Sequence, residues 1–204
     1  MSRSLACLIG APIAMLAASC GLSSAESPTP ATAGMAGLAS YTPDGRLQFP
    51  QSYRSWIFLS SGLDMNYSPQ IAGEGHSMFD NVFVAPQDYR SFLGTGTWPE
   101  GTLLVKEDRM GAEKGSINQH GHFQTSTLMG VEVHAKDSQR FPGGWAFFFF
   151  SAPGSGAASP IPTAADCYTC HRQHGAVDTT FVQFYPTLLG IAGQKGTVVP
   201  GTSP

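Results

Sequence analysis

Apolar residues in this chain gather in short runs broken by glycine and proline, not in long helical stripes. Residues 53–60, with Trp56, Ile57, Phe58 and Leu59 ended by Ser61-Gly62, form an aromatic and β-branched run of strand type. Residues 81–85 read likewise. Pro86 then stands where the first turn of a helix tolerates proline, and Tyr89, Phe92 and Leu93 recur at helical spacing, which predicts a short amphipathic helix closed by Gly94. Residues 102–109 and 123–135 predict two strands joined by the polar, glycine-bearing loop 111–121, a long hairpin. Gly143-Gly144 introduces Trp145-Ala146-Phe147-Phe148-Phe149-Phe150, which is apolar throughout, too short for a stable helix and suited to a strand buried on both faces. Beyond a linker at 152–162, Thr163 is placed to cap a helix carrying Cys167 and ending near Ala176, and a second short helix is expected from Asp178 to Phe184. The resulting class is α+β and β-rich: a twisted antiparallel sheet of about five strands, a short helix after the second, and a C-terminal helical segment across it.

Composition narrows the function classes. Of 204 residues, 42% are hydrophobic and 12% charged, enough for one folded domain and too little charge for a disordered chain. The 24 glycines and 15 prolines argue against a helical bundle. With 11 Lys and Arg against 14 Asp and Glu, and no basic stripe, the electrostatic case for a nucleic-acid partner falls away. Arg3, the weakly polar run 5–18 and the small residues Ser23 and Ala25 match a secretory signal. Gly10 and Pro12 interrupt that run, which is shorter than the roughly 20 residues needed to span a bilayer. Leu16-Ala17-Ala18-Ser19-Cys20 resembles a lipobox with Ala17 where leucine is usual, so a lipid anchor through Cys20 is the alternative to soluble release. The expected layout is a signal at 1–25, a flexible leader at 26–40, a folded domain at 41–190 and a flexible tail at 191–204, in an exported or periplasmic protein.

Cys7 and Cys20 belong to the signal region, which leaves Cys167 and Cys170 for the fold and excludes a disulfide framework. Cys167-Tyr168-Thr169-Cys170-His171 is the C-x-x-C-H pattern for covalent attachment of one c-type haem. The two thiols form thioethers, and His171 is the axial ligand to the haem iron. A structural zinc site would need a second ligand pair, and a redox dithiol would not require His171. No methionine follows Met129, so the usual distal ligand of an electron-transfer cytochrome is missing from the later chain. His174 lies about a turn beyond His171, His76, His120 and His122 fall in loops, and His134 falls in a strand. An open sixth position follows, which suits binding or turnover of a small molecule better than pure electron carriage.

The residues then resemble a family. Tyr53-Arg54-Ser55-Trp56, Asn81-Val82-Phe83-Val84, Trp98-Pro99-Glu100-Gly101-Thr102, Lys136-Asp137-Ser138-Gln139-Arg140-Phe141, Gly144-Trp145-Ala146-Phe147, and Phe181-Val182-Gln183-Phe184-Tyr185-Pro186 after the haem motif are similar to stretches of the cytochrome P-460 family. That family includes lysine-cross-linked hydroxylamine-oxidising cytochromes and their relatives without the cross-link, the cytochromes c′-beta. The resemblance covers about 41–189 and implies an antiparallel sheet, a homodimer and a five-coordinate haem. It also implies that Lys106 is the residue bonded through its side-chain nitrogen to a haem meso carbon. By strand alternation Lys106 shares a face with Thr102 and Leu104, where an apolar pocket would lower its pKa; the alternative is a solvated edge-strand lysine paired with Glu107 or Asp108. Candidates for a distal carboxylate are Asp166 and Glu132, with Asp80 third, and Phe79, Phe83 and Phe123 are candidate pocket walls. The implied activity is oxidation of hydroxylamine, with nitric oxide as a second substrate, and electrons passing to a soluble acceptor such as another cytochrome. The rival readings are a nitric-oxide-binding or scavenging cytochrome without turnover, and a plain electron carrier, which the missing distal methionine disfavours.

Overall fold

The computed structural model describes residues 39–65 and 77–202. The expected signal, Cys20, nearly all of the leader and His76 lie outside the described residues. Five strands form one antiparallel sheet in the order β2 (Ile57–Leu63), β3 (Met78–Val84), β4 (Leu103–Ala112), β5 (Phe123–Lys136) and β6 (Trp145–Phe150). The short strands β1 (Leu47–Gln48) and β7 (Ala157–Ala158) pair separately. Helix α1 (Pro86–Thr95) crosses from β3 to β4; α2 (Asp166–His174) and α3 (Pro186–Lys195) follow the sheet. The expected β-rich α+β architecture is observed, with β4 and β5 as the long central hairpin.

Strand alternation sorts the side chains into two layers. On one face Leu103, Val105, Val131, Val133, Ala146, Phe148 and Phe150 pack beneath Leu47, Phe49, Tyr53 and Trp56. On the other, Val84 and Leu104 meet Phe92, Trp98, Val182 and Leu188 beneath the helices. Between β2 on one side and the end of α2 on the other, this second face also carries the charged residues discussed below.

Several elements differ from expectation for identifiable reasons. Residues 53–55 form a turn of 3-10 helix, Tyr53–Ser55, closed by Trp56 N donating to Tyr53 O at 3.0 Å, so β2 begins only at Ile57. Helix α1 runs past Gly94 and ends at Gly96, whose left-handed φ of 76° lets its N–H reach Phe92 O. The strand β6 is buried on both faces only as far as Phe148; it lies at the sheet edge and leaves Phe149 50% exposed. Helix α2 is capped by Ala165, not Thr163. The helix expected from Asp178 is a single 3-10 turn, Val182–Phe184, because Asp178 and Thr179 are both left-handed (φ 50° and 62°) and cannot belong to a right-handed helix. The segment expected as a tail instead carries the end of α3, and Val199 N donates to Ala176 O at 2.8 Å.

Candidate haem site

The spacing of Cys167, Cys170 and His171 puts them at i, i+3 and i+4 on one stripe of α2. That helix is tied to the sheet by Tyr168, whose hydroxyl donates to Ile161 O at 3.0 Å and whose ring meets Phe147 edge-on at 4.8 Å. Both thiols are free and half-buried, and no residue of α2 is fully covered by protein. A helix whose Cys-Cys-His stripe is only partly covered by protein fits a stripe that carries a covalently attached group.

His171 lines a cleft of about 800 Å³, a volume that includes its open mouth. Its ring stacks on Phe181 at 4.1 Å and meets Phe147 edge-on at 4.6 Å. Its Nδ1 lies 2.9 Å from Thr179 O; a carbonyl can only accept, so Nδ1 holds the proton and Nε2 is left to bind a metal. Burial lowers the His171 pKa, and the nearby Lys106 charge acts in the same direction, which favours the neutral imidazole that iron requires.

Across the cleft, pairing places Val82, Lys106 and Glu132 in one row over β3, β4 and β5, with Asp80 opposite Asp108 in the next. Lys106 Nζ lies 3.3 Å from Glu132 Oε1, 3.3 Å from Asp108 Oδ1 and 3.9 Å from Asp80 Oδ1. Lys106 and Leu104 do share the cleft face, but the surroundings of the amine are acidic, not apolar. Burial pulls the Lys106 pKa down; Glu132, Asp108 and Asp80 together outweigh it and raise it, the reverse of the sequence expectation. Nor is Lys106 an edge-strand lysine, since β4 is the central strand. Glu107 faces the opposite layer, where Tyr53, Arg54 and Arg109 hydrogen-bond it and, against the effect of burial, hold its carboxyl below the ordinary range.

Of the acids singled out in the sequence, the fold brings Glu132 and Asp80 into the cleft and leaves Asp166 exposed at the first turn of α2, outside its lining. Asp108 went unnoticed as a site acid, although it sits two residues beyond Lys106 and alternation alone puts both on one face. Phe79 and Phe83 belong to the odd-numbered face of β3 and Phe123 lies outside the lining; the aromatic walls are Phe147, Phe181, Phe184 and Tyr185. His134 is buried and stacks on Phe147 at 4.1 Å, while His120, His122 and His174 are exposed.

A family model described as Cytochrome P460 matches residues 50–182, a span that holds Lys106, all the cleft carboxylates, both cysteines and His171. The chain belongs to the cytochrome P460 family. Its cofactor is therefore a c-type haem with iron, and the free Cys-Cys-His stripe, the histidine with an unencumbered Nε2 and the cleft before it fit that group. No curated protein compared with the chain matches it. In this cytochrome P460 fold the buried Oδ1 atoms of Asp80 and Asp108 both face the Lys106 ammonium, and burial raises both carboxyls against the pull of Lys106, Asp108 to about 7.

That shift has a consequence for stability. Asp108 binds its proton more tightly folded than unfolded, so its contribution declines as pH rises from its ordinary value of 3.8 toward about 7. Replacing Asp108 with asparagine is expected to remove this decline. Urea midpoints measured from about pH 5 to about pH 7.5 should show the variant gaining on wild type as pH rises, the difference cancelling the histidines common to both. A constant difference across that range would show that Asp108 is ionised throughout.

Proposed function

We propose that this protein is an exported haem oxidoreductase that oxidises hydroxylamine, with its haem bonded to Lys106 as well as to Cys167 and Cys170, and with electrons leaving to a soluble acceptor such as another cytochrome. The observation that carries the reading is the placement of Lys106: its amine stands in the same cleft as His171, among three carboxylates. When bound, the haem supplies an iron centre with an open coordination position and a sink for electrons.

The chain's own residues supply the rest. His171 offers Nε2 to the iron while Thr179 O holds the proton on Nδ1. Oxidation of hydroxylamine to nitric or nitrous oxide releases a proton with each electron, and proton acceptors must stand within reach. Glu132 is positioned to take such a proton, because its carboxylate is half-exposed at the cleft and can pass it to water. Asp80 and Asp108 lie deeper, and burial raises both carboxyls, Asp108 to about 7, a range in which a group both accepts and releases protons. The same carboxylates hold the Lys106 ammonium in place within the cleft.

The test is mass spectrometry of the proteolysed, haem-loaded protein. A species joining the Lys106 peptide to the haem peptide of Cys167 and Cys170, together with reduction of an added acceptor by hydroxylamine, is the expected result. Haem held by the cysteines alone, with nitric oxide bound but no acceptor reduced, would replace this reading with a gas-binding cytochrome.

A further inference from the structure

The loop 177–180, between α2 and the 3-10 turn, is held in a conformation its residues would not choose. Val177 and Thr180 close it with reciprocal backbone hydrogen bonds of 3.3 and 2.8 Å. Inside it Asp178 and Thr179 are both left-handed, at φ 50° and 62°. Aspartate visits that region readily, but a β-branched threonine persists there only where its surroundings over-determine it.

Those surroundings are specific. Lys136, at the end of β5, donates from Nζ to the Asp178 carboxylate and, at 2.8 Å, to Trp98 O. Trp98 Nε1 donates to Thr180 Oγ1 at 2.9 Å, and that hydroxyl donates to Val177 O at 2.6 Å. Gly175 allows the loop to lie directly against the end of α2, since a Cβ there would stand 2.5 Å from the Thr179 carbonyl carbon. The product of all these contacts is the placement of a single atom, Thr179 O, at 2.9 Å from His171 Nδ1.

We propose that Lys136 and Asp178 are positioning residues for the haem's axial ligand. Their ion pair pins the left-handed loop so that Thr179 O accepts the His171 Nδ1 proton, which sets the tautomer, the ring plane and the electron donation of the imidazole to iron. The inference rests on His171 being that ligand and not on hydroxylamine being the substrate. A hydrogen bond accepted from the outer nitrogen makes the imidazole a stronger donor and favours ferric over ferrous iron.

The test uses the haem-loaded full chain and two variants. Asp178→Asn keeps the size and tolerates the left-handed backbone; Lys136→Met keeps most of the stem. The readouts are the midpoint potential by spectroelectrochemical titration and the iron–histidine stretching frequency of the ferrous form. Both variants are expected to favour the ferrous form about threefold, an upward shift of about 30 mV at about 59 mV per tenfold for one electron, and to lower the stretching frequency. Their double variant should shift no further than either alone. A through-space charge effect predicts the opposite pattern, because losing an anion raises the potential while losing a cation lowers it. Shifts of opposite sign, additive shifts, or an unchanged potential and frequency would each overturn the proposal. Should Lys136→Met fail to load haem, the stretching frequency of Asp178→Asn decides it, because both effects raise that variant's potential while only loss of the hydrogen bond lowers the frequency; an unchanged frequency overturns the proposal. Neither readout requires hydroxylamine, so failure here leaves the oxidation reading intact, and failure of that reading leaves this one intact.

Discussion

Replacing Lys106 with leucine is expected to leave haem attached through Cys167 and Cys170 while lowering hydroxylamine turnover by at least about 100-fold, a loss of about 2.7 kcal/mol in transition-state stabilisation. The two thiols and His171 belong to α2, whereas Lys106 belongs to β4, so haem attachment and lysine bonding are separable. Leucine removes both the amine and the cation that Glu132, Asp108 and Asp80 surround. The carboxylates then take up protons more readily, and a second variant is needed to tell lost charge from lost bond. Lys106→Arg keeps the cation among the three acids but brings a guanidinium that stays protonated and is a poor nucleophile. Turnover absent in both variants places the effect in the lysine nitrogen itself; turnover restored by arginine assigns it to charge alone. Wild-type turnover in the leucine variant would remove Lys106 from the proposed chemistry.

Gly175→Ala is expected to destabilise the fold by about 3 kcal/mol and to impair haem loading. The reason is not backbone freedom, since Gly175 has an ordinary φ of −67°. An added Cβ would fall 2.6 Å from His171 O and 2.5 Å and 2.8 Å from two backbone atoms of Thr179, and none of these is the end of a flexible side chain that could move aside. Relief requires the loop carrying Thr179 to separate from α2, which also takes the carbonyl away from His171 Nδ1. Gly190→Ala is the matched control, since a Cβ at this position in α3 meets nothing within 4 Å. There alanine is expected to stabilise by about 1 kcal/mol through helix propensity. Urea denaturation of both variants checks the pair; equal midpoints would show that the 177–180 loop yields freely.

The parts of the site that were legible in the sequence are those encoded by local spacing. Cys167, Cys170 and His171 need only a helical turn to converge, and Leu104 and Lys106 need only the two-residue period of a strand to share a face. The same period would have placed Asp108 beside Lys106 and turned Phe79 and Phe83 away from the cleft, had it been applied through the whole of β3 and β4. Other features left no local trace. Glu132 stands opposite Lys106 and Asp80 opposite Asp108 because of strand register, which is set by the burial of an entire face and changes every neighbour if it slips by one residue. Helix α3 was missed because its apolar residues are interrupted by Gly190 and Gly193, and its stability comes from burying Leu188 and Ala192 more than from intrinsic propensity.

The sequence by itself determined the class of the protein, the order of its strands along the chain, the attachment of a c-type haem and the lysine most worth testing. Short alternating runs can satisfy their hydrophobic faces only by pairing into a sheet, and the C-x-x-C-H spacing carries its chemistry within a single turn of helix. Only the tertiary structure decided the electrostatic character of the haem cleft and the support of its histidine. Asp80 and Glu132, from two other strands, join Asp108 around one ammonium there, reversing the pKa shift that an apolar pocket would have produced. Likewise Lys136, Trp98 and Asp178 come together from separate elements to hold one carbonyl oxygen. Such charges and hydrogen bonds act across space, and their partners are chosen by register and packing, which no single segment contains.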